Sequence, residues 1–165
     1  MPTAMKSVVY RGGVVTFRIP AHWREEYSDL EGGTFYEDRR GSGTLRLKVI
    51  TMTTPKRPPT DSAMDVLQIV VDALRKKNVE GTTQGRSDGN AVLKYEEASV
   101  EPGTQLTVFY WVIANRLPPR HARVVTFSYT ILAKQRYEQH VRNDLEMLEA
   151  EIEAASFSPE MGVVV

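Results

Sequence analysis

One segment constrains the fold more than any other, because it is apolar on both faces of an extended chain. It reads Leu106-Thr107-Val108-Phe109-Tyr110-Trp111-Val112-Ile113. Its β-branched and aromatic residues favour a strand. A strand without a polar face lies centrally in a sheet that is covered on both sides. The segment therefore predicts a layered protein with a sheet in the middle.

Two further long strands flank this segment. Residues 91–100 and 122–132 are strand-like, and Pro102-Gly103 and Leu117-Pro118-Pro119 separate the three runs. Consecutive strands with short connections run antiparallel. Asp88-Gly89-Asn90 precedes them and favours a hairpin turn. The sequence therefore predicts an antiparallel meander in the second half of the chain.

The first half of the chain predicts shorter strands and one turn of helix. Val15, Phe17 and Ile19 alternate with other residues, as in a half-buried strand that ends at Pro20. The remaining elements expected here are a hairpin partner over residues 7–11, a short helical turn over His22–Tyr27, a strand over 34–36 and a long strand over 44–53.

Two helices complete the predicted elements. Ala63, Leu67, Val70, Val71 and Leu74 have helical spacing, which predicts a helix from about 61 to 77. A second helix is expected from about Arg136 to Ala154, with Phe157 folding back onto the sheet. Its buried stripe is expected to be Tyr137, Val141, Leu145, Leu148 and Ile152. Its outer face is expected to carry Glu138, Asp144, Glu146, Glu149, Glu151 and Glu153.

The order of these elements predicts the fold class. Strands and helices are segregated along the chain rather than alternating, which favours an α+β fold. We expect a central antiparallel sheet of about six to seven strands with helices packed on it, as an α/β/α sandwich. The 165 residues are expected to form a single domain with an ordered core over about 7–159.

Composition argues against several classes of function. The chain has 21 basic and 21 acidic residues and a formal net charge of zero, whereas binding to nucleic acid needs a strong basic excess. Cysteine is absent, which excludes disulfides, thiolate catalysis and cysteine-ligated metals. Since no signal segment or membrane-length apolar run is visible, we expect a cytoplasmic protein that binds neither nucleic acid nor a membrane.

No motif in the sequence indicates catalysis. The three histidines, His22, His121 and His140, are far apart, and none lies in a zinc-binding pattern. A G-x-S-x-G elbow, a P-loop and a G-x-G-x-x-G loop are also absent from the sequence. We therefore expect no catalytic residues, no metal and no cofactor.

Two groups of residues are predicted to bind a partner. Phe109 and Trp111 share one face of the central strand, and Arg46 and Lys48 lie on the polar face of another strand. Aromatic rings beside long cationic stems are typical of protein-binding surfaces. The alternative is that the first helix covers this face. The second group consists of the basic residues around Leu117-Pro118-Pro119, which are Arg116, Arg120, His121 and Arg123. It is either a patch that binds an acidic partner or a solvated loop.

The opening of the chain resembles a known superfamily. Phe17-Arg18-Ile19-Pro20-Ala21-His22-Trp23 is similar to the opening of the PsbP-like and DcrB-like proteins, in which a strand is followed by Ile-Pro, two residues and Trp. The later order of elements is also similar. The resemblance implies a central antiparallel sheet sandwiched by helices. It also implies a non-catalytic role, since these relatives are photosystem II extrinsic subunits, a Ran-binding import factor, bacterial lipoproteins and chaperone-adaptors for type VI secretion effectors.

Three hypotheses of function follow. The first is a small cytoplasmic, non-catalytic module that binds a protein partner, as an adaptor or chaperone for a secreted effector. The second is a hydrolase or ligand-binding enzyme whose site is assembled from separate strands. The third is a structural subunit that self-associates, for example as a homodimer, by pairing the acidic helix with basic loops of another copy.

Overall fold

The computed structural model describes residues 3–53, 63–117 and 121–158. Neither of its α-helices is long and apolar enough to cross a membrane in these ranges. The elements, in chain order, are β1 Met5–Tyr10, β2 Val15–Pro20, β3 Arg24–Ser28, β4 Gly32–Tyr36, β5 Thr44–Thr53, α1 Ala63–Lys76, β6 Thr82–Gly85, β7 Ala91–Glu101, β8 Thr104–Leu117, β9 His121–Leu132, a 3₁₀ turn Ala133–Gln135, α2 Gln139–Glu153 and β10 Ser156–Phe157.

The strands form two antiparallel sheets. The larger has seven strands in the order β3-β4-β5-β9-β8-β7-β6, and the smaller has three in the order β1-β2-β10. The two helices pack on the larger sheet, which confirms the predicted α+β class. The first hairpin, which was expected to belong to one central sheet, instead forms the smaller sheet with β10.

The apolar segment 106–113 lies within β8 at the centre of the larger sheet, as predicted. β8 pairs with β7 on one side and β9 on the other. Val112 is 3% exposed and Ile113 is 0% exposed, although the two side chains point to opposite faces. Both faces of the sheet are therefore covered at these two positions.

Different elements cover the two faces. On one face, which we call the α2 side, Phe17 of β2 and Val141 and Leu148 of α2 pack with Phe127 of β9. On the other, the α1 side, a smaller core joins α1 to β7 and β8 and to the start of β9. Its buried members are Ala63, Val66, Leu67, Leu74, Ala91, Leu93, Val112, Ala114, Ala122 and Val124. Each fully buried Leu contributes about 1.5–3 kcal/mol.

Three local predictions need correction or restriction. The helical turn expected over 22–27 is wrong, because Arg24–Ser28 is a strand that pairs with β4. Its residues are all exposed, so the sequence has no alternation of apolar and polar residues there that would predict a strand. Tyr137 is not in the stripe of α2, since it precedes the helix and is 75% exposed. Residues 61–62 of the first helix and Pro159 lie outside the described residues.

The acidic surface expected on α2 is largely engaged within the chain. Glu151 accepts two hydrogen bonds from Arg18 of β2, at 3.0 and 2.7 Å. Glu149 pairs with Lys94 and accepts a 2.8 Å bond from Trp111 Nε1. Asp144 accepts a 2.6 Å bond from the hydroxyl of Tyr129. These three carboxylates hold α2 against the sheets. Of the six acidic residues predicted to form a surface for self-association, three remain: Glu138, Glu146 and Glu153.

Burial raises the pKa of both side chains in the Tyr129–Asp144 hydrogen bond. Tyr129 is 0% exposed, and burial raises the pKa of its hydroxyl, with the bond to Asp144 acting in the same direction. Burial also raises the pKa of Asp144, although the Tyr129 bond partly offsets this effect. An acid whose pKa is raised by folding stabilises the fold when protonated, and this contribution is lost as pH rises through its folded pKa.

This sign gives a pH-dependent expectation for Asp144→Asn. The substitution keeps an oxygen that accepts from Tyr129 but cannot ionise, so it removes the cost of a buried charge at neutral pH. The free energy of unfolding of the variant minus that of wild type should be more positive at pH 7 than at pH 4. Urea unfolding at the two pH values measures it, with the exposed Glu146→Gln of the same helix as the control. An equal difference at both pH values would contradict the assignment.

Gly32 offers a second test, because its position requires both a positive φ and close packing. Its φ is +81°, and a Cβ there would collide with the backbone carbonyl oxygen of Leu47. Gly89 has a similar φ of +85° but open space around it. Gly89→Ala should therefore cost about 1–2 kcal/mol for the left-handed backbone alone. Gly32→Ala should cost about 1–3 kcal/mol more from overpacking. Equal losses in denaturant unfolding would show that β4 and β5 are not packed this closely.

Candidate functional site

Strand alternation separates the aromatic and basic residues that were predicted to form one surface. Trp111 pairs with Phe127, which pairs with Leu47, so all three point to the α2 side. Arg46 and Lys48 flank Leu47 on β5 and point to the α1 side. Phe109, two residues from Trp111, also points to the α2 side. The two pairs therefore lie on opposite faces of the sheet and do not form one surface.

Phe109 and Trp111 are covered by the chain itself. Trp111 is 5% exposed, and its Nε1–H donates to Glu149 of α2. Phe109 is half-buried, with the Arg136 guanidinium 4.7 Å from its ring centre. Arg136 is held in place by two bonds to Glu96, at 2.8 and 3.0 Å. The covering helix is α2, whereas the alternative raised from the sequence was the first helix.

The predicted basic stretch does not form an exposed patch in the described residues. Arg120 and the side chain of Arg116 lie outside them. Arg123 is 0% exposed and points to the α2 side, paired across the strands with the buried Asn115. It donates a 2.8 Å hydrogen bond to the carbonyl of Ser158, and burial lowers its pKa. Arg123 therefore binds the backbone just after β10 rather than presenting charge to a partner.

Arg46 and Lys48 instead belong to a surface that the sequence analysis did not assemble. Side chains of β4, β5, β9 and β8 on the α1 side remain exposed or half-buried, and no described helix lies over them. We call this surface the open face. The register of the four strands places on it Thr34, Tyr36, Arg46, Lys48, Tyr110, Thr126, Ser128 and Thr130.

The position of α1 explains why this part of the sheet is uncovered. The helix packs on β6, β7 and β8 and on Ala122 and Val124 at the start of β9. Further along β9, the residues on this side are Thr126, Ser128 and Thr130. Their alternation with the buried Phe127 and Tyr129 was the available sequence signal for a one-sided strand.

The two cations of the open face are free of ion pairs. Across residues 3–53, 63–117 and 121–158, neither Arg46 nor Lys48 lies within 4.0 Å of a carboxylate. Arg46 sits between Thr34 and Ser128, and Lys48 lies opposite Thr126. The centre of the open face is therefore positive. Hydroxyl groups surround it, and Glu26 of β3, which accepts a 2.8 Å hydrogen bond from Tyr36, lies at its outer border.

A pair of stacked tyrosines forms the border of the open face towards α1. The rings of Tyr95 and Tyr110 are 4.5 Å apart at an interplanar angle of 15°. Burial raises the pKa of Tyr95 to about 12, with Tyr110 and Glu97 adding to the effect. Burial also raises the pKa of Tyr110. Both hydroxyls are therefore neutral at physiological pH and can donate hydrogen bonds.

A separate cavity of about 150 Å³ lies on the α2 side, between α2 and the β6–β7 hairpin. We call it the α2 cavity. Val92, Trp111 and Ile152 form its apolar part, and Lys94 and Glu149 lie at its wall as an ion pair. The rest of its lining is Gln84, Gly85, Arg86, Ser87 and Glu153. Two of its four charged side chains, Lys94 and Glu149, are thus already paired with each other.

Arg86 fixes the hairpin to the end of α2. Its guanidinium donates to the carbonyl oxygens of Ile152, Glu153 and Ala155, at 3.3, 3.1 and 2.9 Å. It also lies 5.0 Å from the ring centre of Phe157. A cation at a helix C-terminus satisfies carbonyls that lack intrahelical donors and interacts favourably with the helix dipole. No local pattern in the sequence marks this long-range contact.

The predicted absence of catalysis is not tested by this geometry, but the histidines can be placed. His22 lies in the turn before β3, 3.2 Å from Glu37, His121 begins β9, and His140 is on α2, 3.3 Å from Glu138. They do not converge on the open face or the α2 cavity. Within the described part of the chain, no cluster of three or more His, Asp and Glu side chains is arranged to hold a metal ion.

Solved structures share this architecture at low sequence identity. No protein-family model matches the chain, and no curated protein sequence matches it. LpqN of Mycobacterium tuberculosis, described as involved in cell envelope biogenesis, aligns with a TM-score of 0.61 and 14% identity, over 96% of this chain and 87% of LpqN. The Ran-binding protein Mog1p of Saccharomyces cerevisiae aligns with a TM-score of 0.56 and 15% identity, over 94% of this chain and 96% of Mog1p.

These alignments extend over nearly the whole of each chain. At such low identity the likeness establishes the fold and nothing finer. The protein has the PsbP-like and DcrB-like fold.

Proposed function

We propose that the protein is a non-catalytic module that binds an acidic segment of a partner protein on its open face. The observation that carries this proposal is the pair of cations Arg46 and Lys48, which have no carboxylate partner among the described residues and lie on a part of the sheet that no described helix covers. An adaptor or chaperone role for a secreted effector is the specific form that the superfamily resemblance favours. The likeness to a protein described as Ran-binding supports protein binding in general.

The chemistry of the open face suits a protein partner. Tyrosine and arginine are enriched at the centres of protein interfaces. Tyrosine provides a large rigid contact area, and serine and threonine hydroxyls adapt their hydrogen bonds to the partner. Tyr36 and Tyr110 lie on opposite sides of Arg46 in the register of the strands. The open face therefore combines aromatic contact area with charge and hydroxyl groups.

The size of the open face favours a segment over a whole domain. Four neighbouring strands extend about 14 Å across, and five residues along a strand extend about 13 Å. The resulting area of roughly 200 Å² is well below the about 800 Å² per partner of a standard interface between folded proteins. Such an area matches two or three turns of helix or a short extended stretch.

Charge reversal tests the proposal. Phage-displayed peptides of twelve random residues are selected on the immobilised protein, and their affinities are measured by calorimetry. The selected peptides should be acidic, and their affinity should fall at least tenfold in the double variant Arg46→Glu, Lys48→Glu. The double variant Lys76→Glu, Lys77→Glu changes the net charge equally at the end of α1 and should bind within twofold of wild type.

Salt provides an independent check on the same peptides. The affinity should fall when ionic strength rises, because exposed charge pairs are screened within about 10 Å at 0.1 M salt. Selection of neutral or basic peptides, or equal binding to the wild type and the Arg46, Lys48 double variant, would refute the acidic-segment proposal.

A further inference from the structure

The two edges of the larger sheet differ in their protection against added strands. β3 carries Arg24, Glu25 and Glu26, and charged side chains discourage an edge strand from pairing with another chain. β6 forms the opposite edge and pairs only with β7 among the described strands. Its sequence, Thr82-Thr83-Gln84-Gly85, contains no charge and no proline. Neither charge nor proline therefore blocks this edge, and its four residues limit the length of strand that can be added.

The register identifies the backbone groups that this edge presents. The N–H of Arg86 donates to the carbonyl of Asn90 at 2.7 Å, which makes these two residues a hydrogen-bonded pair. Hydrogen-bonded and non-hydrogen-bonded pairs alternate along an antiparallel ladder. Gln84 with Val92 is then the next hydrogen-bonded pair. Thr83 and Gly85 consequently direct their N–H and C=O groups away from β7.

The α2 cavity lies beside these outward groups. Gln84 lines the cavity together with Val92 and Trp111, so its side chain is on the α2 side. In a strand added next to β6, the residue opposite Gln84 would point to the same side. A cavity of about 150 Å³ is large enough for a benzene-sized group. A leucine or phenylalanine side chain at that position therefore has a space to enter, in which Val92, Trp111 and Ile152 supply the apolar contacts and polar side chains form the rest of the lining.

The walls of the cavity are fixed before any ligand arrives. Arg86 holds the β6–β7 hairpin to the C-terminal end of α2 through three carbonyls. Lys94 and Trp111 both hold Glu149 on the preceding part of the helix. A preformed pocket lowers the entropic cost of binding.

We propose that β6 and the α2 cavity form a docking site for an extended segment of a partner protein. The segment adds as an antiparallel or parallel strand beside β6 and inserts one leucine or phenylalanine side chain between Val92, Trp111 and Ile152. Backbone hydrogen bonds at Thr83 and Gly85 supply affinity, and the pocket supplies specificity, as in other cases of strand addition. The paired charges at the cavity wall favour an uncharged residue at this position. The site lies on the other side of the sheet from the open face, so neither proposal depends on the other.

Capped peptides of the form Thr-Val-Thr-X-Thr-Val-Thr, with X as Leu, Phe, Ala or Lys, test this site by amide-resolved NMR. The Leu and Phe peptides should slow hydrogen exchange at Thr83 and Gly85 and shift the indole N–H of Trp111. They should bind at least tenfold more tightly than the Ala peptide, because the larger apolar side chain is buried. The Lys peptide should bind no better than the Ala peptide.

Two substitutions separate the contributions of backbone and pocket. Thr83→Pro removes an outward N–H without breaking the β6–β7 ladder and should weaken the Leu peptide at least tenfold, whereas Thr83→Val keeps the N–H and should bind as wild type does. Val92→Phe fills the cavity and should abolish the preference for Leu over Ala. Urea unfolding verifies that each variant is folded.

Several results would overturn this proposal. They are unchanged exchange at Thr83 and Gly85 with every peptide, equal binding by the Thr83→Pro and Thr83→Val variants, or a shift of Trp111 without protection of the two amides. Protection of the amides that grows with protein concentration in the absence of peptide would assign the edge to self-pairing instead.

Discussion

The structure depends on burying the apolar side chains that β8 presents on both faces of the sheet, such as Val112 on one face and Ile113 on the other. The smaller sheet and α2 cover one side of the larger sheet, from Leu45 on β5 to Val92 on β7. On the other side, α1 is a single helix of 14 residues, and a helix about 10 Å wide covers about two strands at a spacing of roughly 4.8 Å. The part of the sheet beyond its reach has to be compatible with water. Thr126, Ser128, Arg46 and Lys48 meet that requirement, and the same residues give the open face its capacity to bind a partner.

Polar contacts, rather than an apolar stripe alone, hold α2 in place. Val141, Leu148 and Ile152 are its buried residues, but Asp144, Glu149 and Glu151 each contact a residue of the sheets, and Arg86 closes its C-terminal end. A hydrogen bond to a charged group that is shielded from water contributes about 1.5–3 kcal/mol. This applies to the part-buried bonds of Asp144 and Glu149 and not to the exposed Arg18–Glu151 pair. These contacts also shape the α2 cavity, because two of them, at Glu149 and Arg86, form its walls. The contacts of Glu149 and Arg86 therefore both hold α2 in place and form the walls of the α2 cavity.

Much of the fold follows from local patterns, whereas the site depends on pairings between distant strands. The strands around residues 91–132, the first helix and the last helix were predictable because each has its own periodicity. The open face was not predictable, since Arg46, Ser128 and Tyr110 become neighbours only through the register of β5, β9 and β8. Phe109 and Trp111 were assigned to the same face as Arg46 and Lys48, which is wrong. The sequence does not give the register between β5 and β8, and a shift of one residue in register exchanges the two faces of a strand. Likewise, the acidity of α2 was correctly recognised, but Glu149 and Glu151 contact side chains 38 or more positions away.

The most direct test of the central claim is the rate of thiol labelling on the two sides of β9. The chain contains no cysteine, so a single introduced cysteine reports one position. Ser128 lies half-buried on the open face, and Val125 is 0% exposed on the α2 side. The account predicts that Ser128→Cys reacts with a small maleimide under native conditions, within about tenfold of the rate for the unfolded chain, while Val125→Cys reacts only at the rate of global unfolding. Equal protection of the two cysteines would contradict the account, because it would mean that the sheet is sealed on both sides.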